Sequence, residues 1–513
     1  VSPLLLRPLL LLLSFFANRP RFASFPLRRM PALPGGFYRF STSCTPVARP
    51  ACAAARCSPR RAARHAIILH SPPLPPFFAS FTQFAVSAHG QPLPASVCDH
   101  PRSGSIRPVN PLLDSLQPYP FEKLRALFSE VTPPAGLAHI SFGIGEPKHP
   151  TPALIRDAVI ASLGGLSAYP ATIGSPALRE SIAKWATQRY NLPPVDPATQ
   201  VLPVSGSREA LFALAQTVID PKRGADGEPA IVLCPNPFYQ IYEGAAILAG
   251  AQPYFVNSDP ARNFACDYSA VPADIWARTQ LLYVCSPGNP TGAVLTLDDW
   301  RELFALSDRY GFVIASDECY SEIYFDEANP PLGGLQAAHQ LGRGFERLVM
   351  LSSLSKRSNV PGMRSGFVAG DAALLKDFLL YRTYHGAALS TVFQNASIAA
   401  WNDETHVREN RAKYVQKFST VTPMLAEVLD VRLPDAAFYL WADVSRTGLS
   451  DTGFAQRLYA DYNVTVLPGS FLARTAHGVN PGRNFVRLAL VADVDECTQG
   501  AQRIVDFCRA LAG

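Results

Sequence analysis

Lys356 lies between small hydroxyl residues in Ser353-Leu-Ser-Lys-Arg-Ser-Asn-Val-Pro-Gly-Met-Arg364. Its amine can condense with an aldehyde, and Ser353, Ser355 and Arg364 are suited to hold a phosphate. A second anion site is offered by Val204-Ser-Gly-Ser-Arg-Glu-Ala-Leu211, ahead of an apolar helical run. There Gly206 permits close backbone approach, and the N–H groups of Ser207 and Arg208 open the helix, where free donors and the helix dipole favour a phosphate. Read alone, the first segment is a polar loop and the second a plain cap. One common cofactor, pyridoxal 5'-phosphate, carries both an aldehyde and a phosphate.

Four further segments suit the same ligand. Ser286-Pro-Gly-Asn-Pro-Thr-Gly292 follows an apolar strand-like run, and the Asn289 amide could bond the cofactor's ring hydroxyl; its bland reading is a Pro/Gly turn. Asp317, in Ala315-Ser-Asp-Glu-Cys-Tyr320, leaves an apolar run for a place where an unpaired carboxylate is costly. A protonated pyridine nitrogen is its expected partner, which keeps the ring an electron sink, and Tyr320 could reach the ring oxygen. Tyr239, in Asn236-Pro-Phe-Tyr-Gln-Ile-Tyr242, could lie flat against a conjugated ring, although an isolated aromatic is more often core. Arg487 interrupts the apolar run Phe485-Val-Arg-Leu-Ala-Leu-Val491 and needs an anion: a substrate α-carboxylate, or a structural salt bridge.

Alternating elements must position these residues. Strands are predicted at Ile231–Pro235, Gln252–Val256, Leu281–Cys285, Phe312–Ser316, Leu348–Leu351 and Gly366–Ala369. Helical patterns fall between them at Ser207–Ile219, Leu297–Tyr310 and Ala372–His385, the second with Thr296 as its cap and acids in its first turn. This alternation implies an α/β domain with a largely parallel sheet, whose strand ends and following loops build the ligand site. A long helix over His406–Leu429 is followed by a smaller strand-rich unit at Ala437–Val444, Val464–Leu467 and Phe485–Val491.

The 513 residues are 48% hydrophobic and 17% charged, as in globular proteins. The net charge of +5 is unevenly spread: residues 1–108 hold 13 Arg, no Lys and one acid, Asp99, leaving 33 basic and 40 acidic residues beyond. A mildly acidic body is not expected to bind nucleic acid, and no apolar run is long enough to span a bilayer. Ten scattered cysteines contain no C-x-x-C pair, so no metal is expected and a reduced, cytoplasmic setting fits. Residues 1–108 also hold 17 of the 47 prolines and lack periodicity. They are expected to be a disordered or non-native extension, translated from upstream of the true start; an organellar transit peptide is the competing reading.

From residue 110 to 513 the chain resembles the class I/II aminotransferases of PLP fold type I in the order and spacing of all these motifs. The resemblance implies a large domain with a mostly parallel mixed sheet flanked by helices, plus a smaller α+β domain. Expected boundaries are 109–155 for an N-terminal arm and part of the small domain, 156–395 for the PLP-binding domain and 396–513 for the small C-terminal domain. Lys356 then resembles the Schiff-base lysine, Asp317 the pyridinium partner, Asn289 and Tyr320 the ligands of the ring oxygen, and Tyr239 the ring stacker. Gly206, Ser207, Arg208, Ser353, Ser355 and Arg364 resemble the phosphate cup, and Arg487 the α-carboxylate clamp. Gly145, in Phe142-Gly-Ile-Gly-Glu-Pro147, matches a segment that closes over substrate. Tyr169, in Ala168-Tyr-Pro-Ala171, matches a tyrosine donated across a homodimer interface to the phosphate.

More narrowly, Asn110-Pro-Leu-Leu-Asp-Ser-Leu-Gln-Pro-Tyr-Pro-Phe-Glu-Lys-Leu124 and Ser355-Lys-Arg-Ser-Asn-Val-Pro-Gly-Met-Arg-Ser-Gly-Phe-Val-Ala-Gly-Asp371 resemble the succinyldiaminopimelate aminotransferases of bacterial lysine biosynthesis. Glutamate (with 2-oxoglutarate) and a succinylated amino or keto acid are the substrates so implied. Arg357, Asn359 and Arg382 are candidate readers of the succinyl and distal carboxylate groups. One departure is Ala437, where relatives often carry glycine. Alternatives are another aminotransferase of aspartate, alanine or aromatic type, a PLP C–S lyase, and a PLP-sensing transcription regulator. The last needs a helix-turn-helix, for which residues 1–108 show no periodicity.

Overall fold

Short runs of fully buried residues fold as strands, and each ends where a polar or glycine-rich segment begins. In the computed structural model, which describes residues 109–222 and 227–513, eight strands form one mixed sheet. Their spatial order is Val201–Val204, Gly366–Gly370, Leu348–Ser353, Val313–Asp317, Thr279–Cys285, Ile231–Asn236, Gln252–Asp259 and Ala265–Cys266. The five from Leu348–Ser353 to Gln252–Asp259 run parallel, and Gly366–Gly370 and Ala265–Cys266 run against their neighbours. All six strands expected from the sequence are present within a few residues. Val201–Val204 adds to them; at four residues with a proline inside, it carries too little pattern to be read.

Packing on both faces explains why these strands read as continuous apolar runs rather than as alternating ones. One face carries Trp185, Trp300, Phe312, Phe367 and Trp401. The other carries Leu211, Leu214, Tyr242, Tyr283 and Phe378 from the helices Ser207–Val218, Ile241–Leu248 and Ala372–His385 and from the sheet itself. Helix Leu297–Tyr310 forms as expected: Thr296 and Asp299 make a capping box, and Gly311, at φ 79°, ends it in the left-handed conformation.

A second core gathers the three-stranded sheet Tyr439–Asp443, Phe485–Ala489 and Leu467–Pro468 under the helices Thr405–Ala426 and Val494–Ala512. Ile140 and Phe142 belong to it, because Ile140–Ser141 pairs in parallel with Val464–Thr465. The segment Phe142-Gly-Ile-Gly is thereby anchored beside the C-terminal strands. Among the described residues no helix is long and apolar enough to cross a membrane. The expected extension at 1–108 lies outside the described residues.

Candidate active site

Five polar segments leave the same edge of the sheet. Asn236, Cys285, Asp317 and Ser353 end parallel strands, and Gly206 follows Val204. Arg364 precedes the antiparallel strand Gly366–Gly370 and so reaches that edge too. Of these, Cys285, Asp317, Ser353 and Arg364 line a cavity of about 530 Å³ together with Tyr119, Gly145, Glu146, Ser207, Arg208, Tyr239, Gln240, Asn289, Tyr320, Ser355, Lys356, Tyr439 and Arg487.

At one wall, helix Ser207–Val218 starts without any side chain capping its first N–H groups. Gly206 there has φ 87°, and a Cβ on it would meet Arg364 Nη2 at 2.3 Å. No other residue type fits: the backbone is left-handed, and the guanidinium lies directly over it. Ser353 Oγ accepts the Ser355 N–H at 3.1 Å and lies 2.9 Å from Ser355 Oγ, which fixes the hydroxyl pair beside Lys356. Donors from a helix terminus, two hydroxyls and a guanidinium converge on one small volume, the environment a phosphate monoester needs.

Asp317 is buried against the opposite requirement. Burial pushes its carboxyl above the usual range, and hydrogen bonds from Cys319 and Tyr242 and the charge of Lys356 pull it back. Tyr242 Oη donates to Oδ2 at 2.8 Å, and the Cys319 N–H donates to Oδ1 at 3.3 Å. Lys356 itself, on the single turn Leu354–Arg357, has its amine pulled down by burial, so a neutral nucleophile is more accessible than for an exposed lysine.

Arg487 is buried and among the described residues reaches no carboxylate: Nη1 donates to Asn289 Oδ1 at 2.9 Å, Nη2 to the Gly143 carbonyl at 2.8 Å, and Nε has no partner there. The guanidinium lies 4.4 Å from the Tyr439 ring centre. The structural salt bridge left open by the sequence is thus not formed. Arg487 lines the cavity, and a carboxylate ligand there would supply the counter-charge it lacks. Tyr320 Oη pairs with Tyr439 Oη at 2.9 Å, and a Cβ on Gly145 would meet that same Tyr439 Oη at 2.1 Å. Gly145 therefore lets the Phe142–Pro147 segment lie flat against the cavity wall.

Of the sequence-derived site residues, all but Tyr169 line this one cavity or, like Gly206, form its wall. Tyr169 is fully exposed in the single chain. Arg208 departs in direction: its Nε donates to Tyr239 Oη at 2.5 Å, so its backbone rather than its side chain faces the helix-end cradle.

The three candidate readers of the distal group fall elsewhere. Arg357 turns away from Lys356 and binds the Ala400 carbonyl and Glu404 between Trp185 and Trp401. Arg382 pairs with Glu209, and Asn359 bonds Asn410. Successive residues of a helical turn point about 100° apart, which is why Arg357 cannot share the face of Lys356. Ala437 is buried at φ 68°, a conformation costing a non-glycine residue about 1 kcal/mol, so the departure noted in the sequence falls where the backbone favours glycine. Tyr242 was legible only as an aromatic in a helix start, and nothing nearby in sequence marks it as the partner of Asp317.

Comparison with known proteins agrees with this geometry. Residues 138–504 match the family model for aminotransferase class I and II. The chain is similar to an aminotransferase of Neisseria meningitidis Z2491, with 53% identity and a TM-score of 0.75 over 78% of this chain and all of that one. It is also similar to the aminotransferase AspB of Helicobacter pylori 26695, at 31% identity and a TM-score of 0.69 over 77% of this chain and 99% of that one. The LL-diaminopimelate aminotransferase of Dehalococcoides mccartyi is 30% identical across 77% of this chain and 97% of its own length. That of Nitratidesulfovibrio vulgaris DP4 is 31% identical across 76% and 97%.

Proposed function

This chain belongs to the class I and II aminotransferases, whose cofactor is pyridoxal 5'-phosphate, and we propose that it exchanges amino groups between glutamate and a long amino acid with an anion at each end. N-succinyl-2-amino-6-oxopimelate is the proposed acceptor, in diaminopimelate and lysine biosynthesis. One observation carries the two-ended reading. Besides Arg364 over the helix-end cradle, the cavity is lined by two guanidiniums without carboxylate partners, Arg487 and Arg208. Arg487 suits the α-carboxylate, and Arg208, held by Tyr239, suits the far one.

The residues present fit the cofactor: an N-terminal helix cradle with Arg364 for the phosphate, Asp317 for the ring nitrogen, and Asn289 and Tyr320 near the ring oxygen. Bound there, it supplies an aldehyde and a ring that accepts the electron pair released at the substrate Cα. Lys356 provides the amine that captures the aldehyde. With the cofactor and substrate bound, the Lys356 amine would serve as the base that takes the substrate Cα proton and as the acid that gives it back. Arg487 and Asn289 fix the carboxylate so that the Cα–H bond points at Lys356. Asp317 keeps the ring nitrogen protonated while negative charge develops. Tyr169, bare on one chain among the exposed apolar side chains Ile160, Leu163 and Leu166, is proposed to complete the phosphate site of a second copy in a homodimer.

The names of the relatives favour a second reading, in which unsuccinylated LL-diaminopimelate is the amino donor. A donor and acceptor screen on cofactor-loaded enzyme separates the two. The succinylated acceptor should exceed the product of LL-diaminopimelate by about tenfold or more in kcat/KM, or about 1.4 kcal/mol. The reverse order assigns the free diamino acid, and pyruvate with ammonia from a cysteine conjugate would replace transamination by C–S bond cleavage. Arg208→Gln should lower kcat/KM by about tenfold for two-ended substrates and by much less for alanine.

A further inference from the structure

We propose that Tyr242 is a positioning residue for amino transfer: by donating its hydroxyl proton to Asp317 it keeps that carboxylate ionised and aimed at the cofactor's ring nitrogen. The inference rests on the aminotransferase reading above and concerns a residue outside the cavity wall. Tyr242 is completely buried, and its Oη lies 2.8 Å from Asp317 Oδ2. Its ring cannot turn away. It stacks on Tyr283 with 4.6 Å between ring centres and 11° between planes, and meets the edge of Tyr239 at 5.9 Å and 87°. Tyr283 is locked in turn, because its own hydroxyl donates to the Leu211 carbonyl at 2.6 Å.

Asp317 Oδ2 accepts from Tyr242 Oη–H and Oδ1 from the Cys319 N–H, and the Cys319 thiol also bonds the carboxyl. The carboxyl lines the cavity. The titratable groups facing the carboxyl are Tyr242, Cys319 and Lys356, and Cys285 lies against the Tyr242 hydroxyl. The phenol donates to the ionised acid, and this charge-assisted bond falls to a weaker neutral one if a ring proton moves onto the carboxyl. Removing the donor therefore lets burial, which disfavours the charge, shift that proton from ring to acid. The ring then loses its positive charge and withdraws electrons less strongly.

The test is Tyr242→Phe in the cofactor-loaded enzyme, which keeps the stack on Tyr283 and removes only the donor. The visible band of the lysine-bound cofactor should titrate with its midpoint raised by about half a unit or more, since a neutral ring makes the neighbouring nitrogen more basic. The value of kcat should fall about tenfold or more with KM changed less than about twofold. Replacing Tyr242 by 3,5-difluorotyrosine, equal in shape but a stronger donor, should move the midpoint the opposite way, and it decides the matter should Tyr242→Phe fail to fold. An unmoved midpoint in the folded variants, whatever the loss in Tm, makes Tyr242 simple core and overturns the proposal. A wild-type protein that shows no visible cofactor band overturns the aminotransferase reading instead.

Discussion

Around Arg189 and around Arg487 the chain buries guanidinium groups, and the two neighbourhoods answer the charge in opposite ways. Arg189 Nε meets Glu322 at 2.7 Å, and its Nη2 bonds the Ser321 and Pro331 carbonyls. Arg411, over the Tyr324 ring, holds Glu327 at 2.6 Å and sits 3.7 Å from Glu322. Beside them Glu318, fully buried, accepts from Tyr190, Ser316 and the Gly334 N–H. There each guanidinium finds a carboxylate inside the chain, although Arg189 Nη1 has no acceptor among the described residues. At Arg487 the same desolvation is met by an amide, a carbonyl and a ring face, with no carboxylate among the described residues. The first arrangement fixes architecture and the second demands a ligand.

Four measurements break or sharpen this contrast. The largest effect is expected on the ligand side, at the nucleophile: Lys356→Ala should lose the visible cofactor band and more than about a thousandfold in turnover. On the architectural side, Arg189→Met leaves Glu322 buried with less compensation, and chemical denaturation should report a loss of about 3 kcal/mol or more. Its kcat and KM per folded molecule should stay near wild type. Arg487→Gln should do the reverse: kcat/KM down about a hundredfold for every amino acid tried, with Tm little changed or raised. If the two substitutions have the same signature, the distinction between answered and unanswered charges is wrong.

The smallest effect concerns an intermediate case. Lys417 is buried, bonds His149 Nε2 at 2.6 Å and the Leu490 carbonyl at 3.2 Å, and has no carboxylate partner among the described residues. Burial pushes it down to about 8, from an ordinary 10.5. The unfolded chain then binds more protons than the folded one between these values, so stability should rise with pH through about 8 to 10.5. The expected gain is about 1–2 kcal/mol, and Lys417→Met should flatten it. His149, pushed down to about 4 chiefly by burial, works in the same sense: stability should fall as pH drops from 6.5 toward 4.

Much of the site was legible because a strand buried on both faces admits no polar residue until it ends. Asp317, Asn289 and Ser353 announce themselves by contrast with the apolar runs before them. Arg487 was legible for a related reason, a charge inside such a run. What stayed hidden depends on rotation and on distance along the chain. Arg357 shares its neighbour's sequence context yet points into a tryptophan pair. Tyr242 meets Asp317 across 75 positions, and neither residue carries a mark of the other. Arg208 sits in the expected loop, but only the fold shows its side chain leaving the cradle for Tyr239.

Gly206 carries one more consequence. A relative could retain the lysine, the aspartate and both arginines and still hold its prosthetic group less well, because a methyl beneath Arg364 strains the backbone and displaces the guanidinium. An inventory of reactive side chains would score that relative as competent. One methyl at this position would press on the guanidinium the phosphate site depends on while leaving every reactive side chain in place.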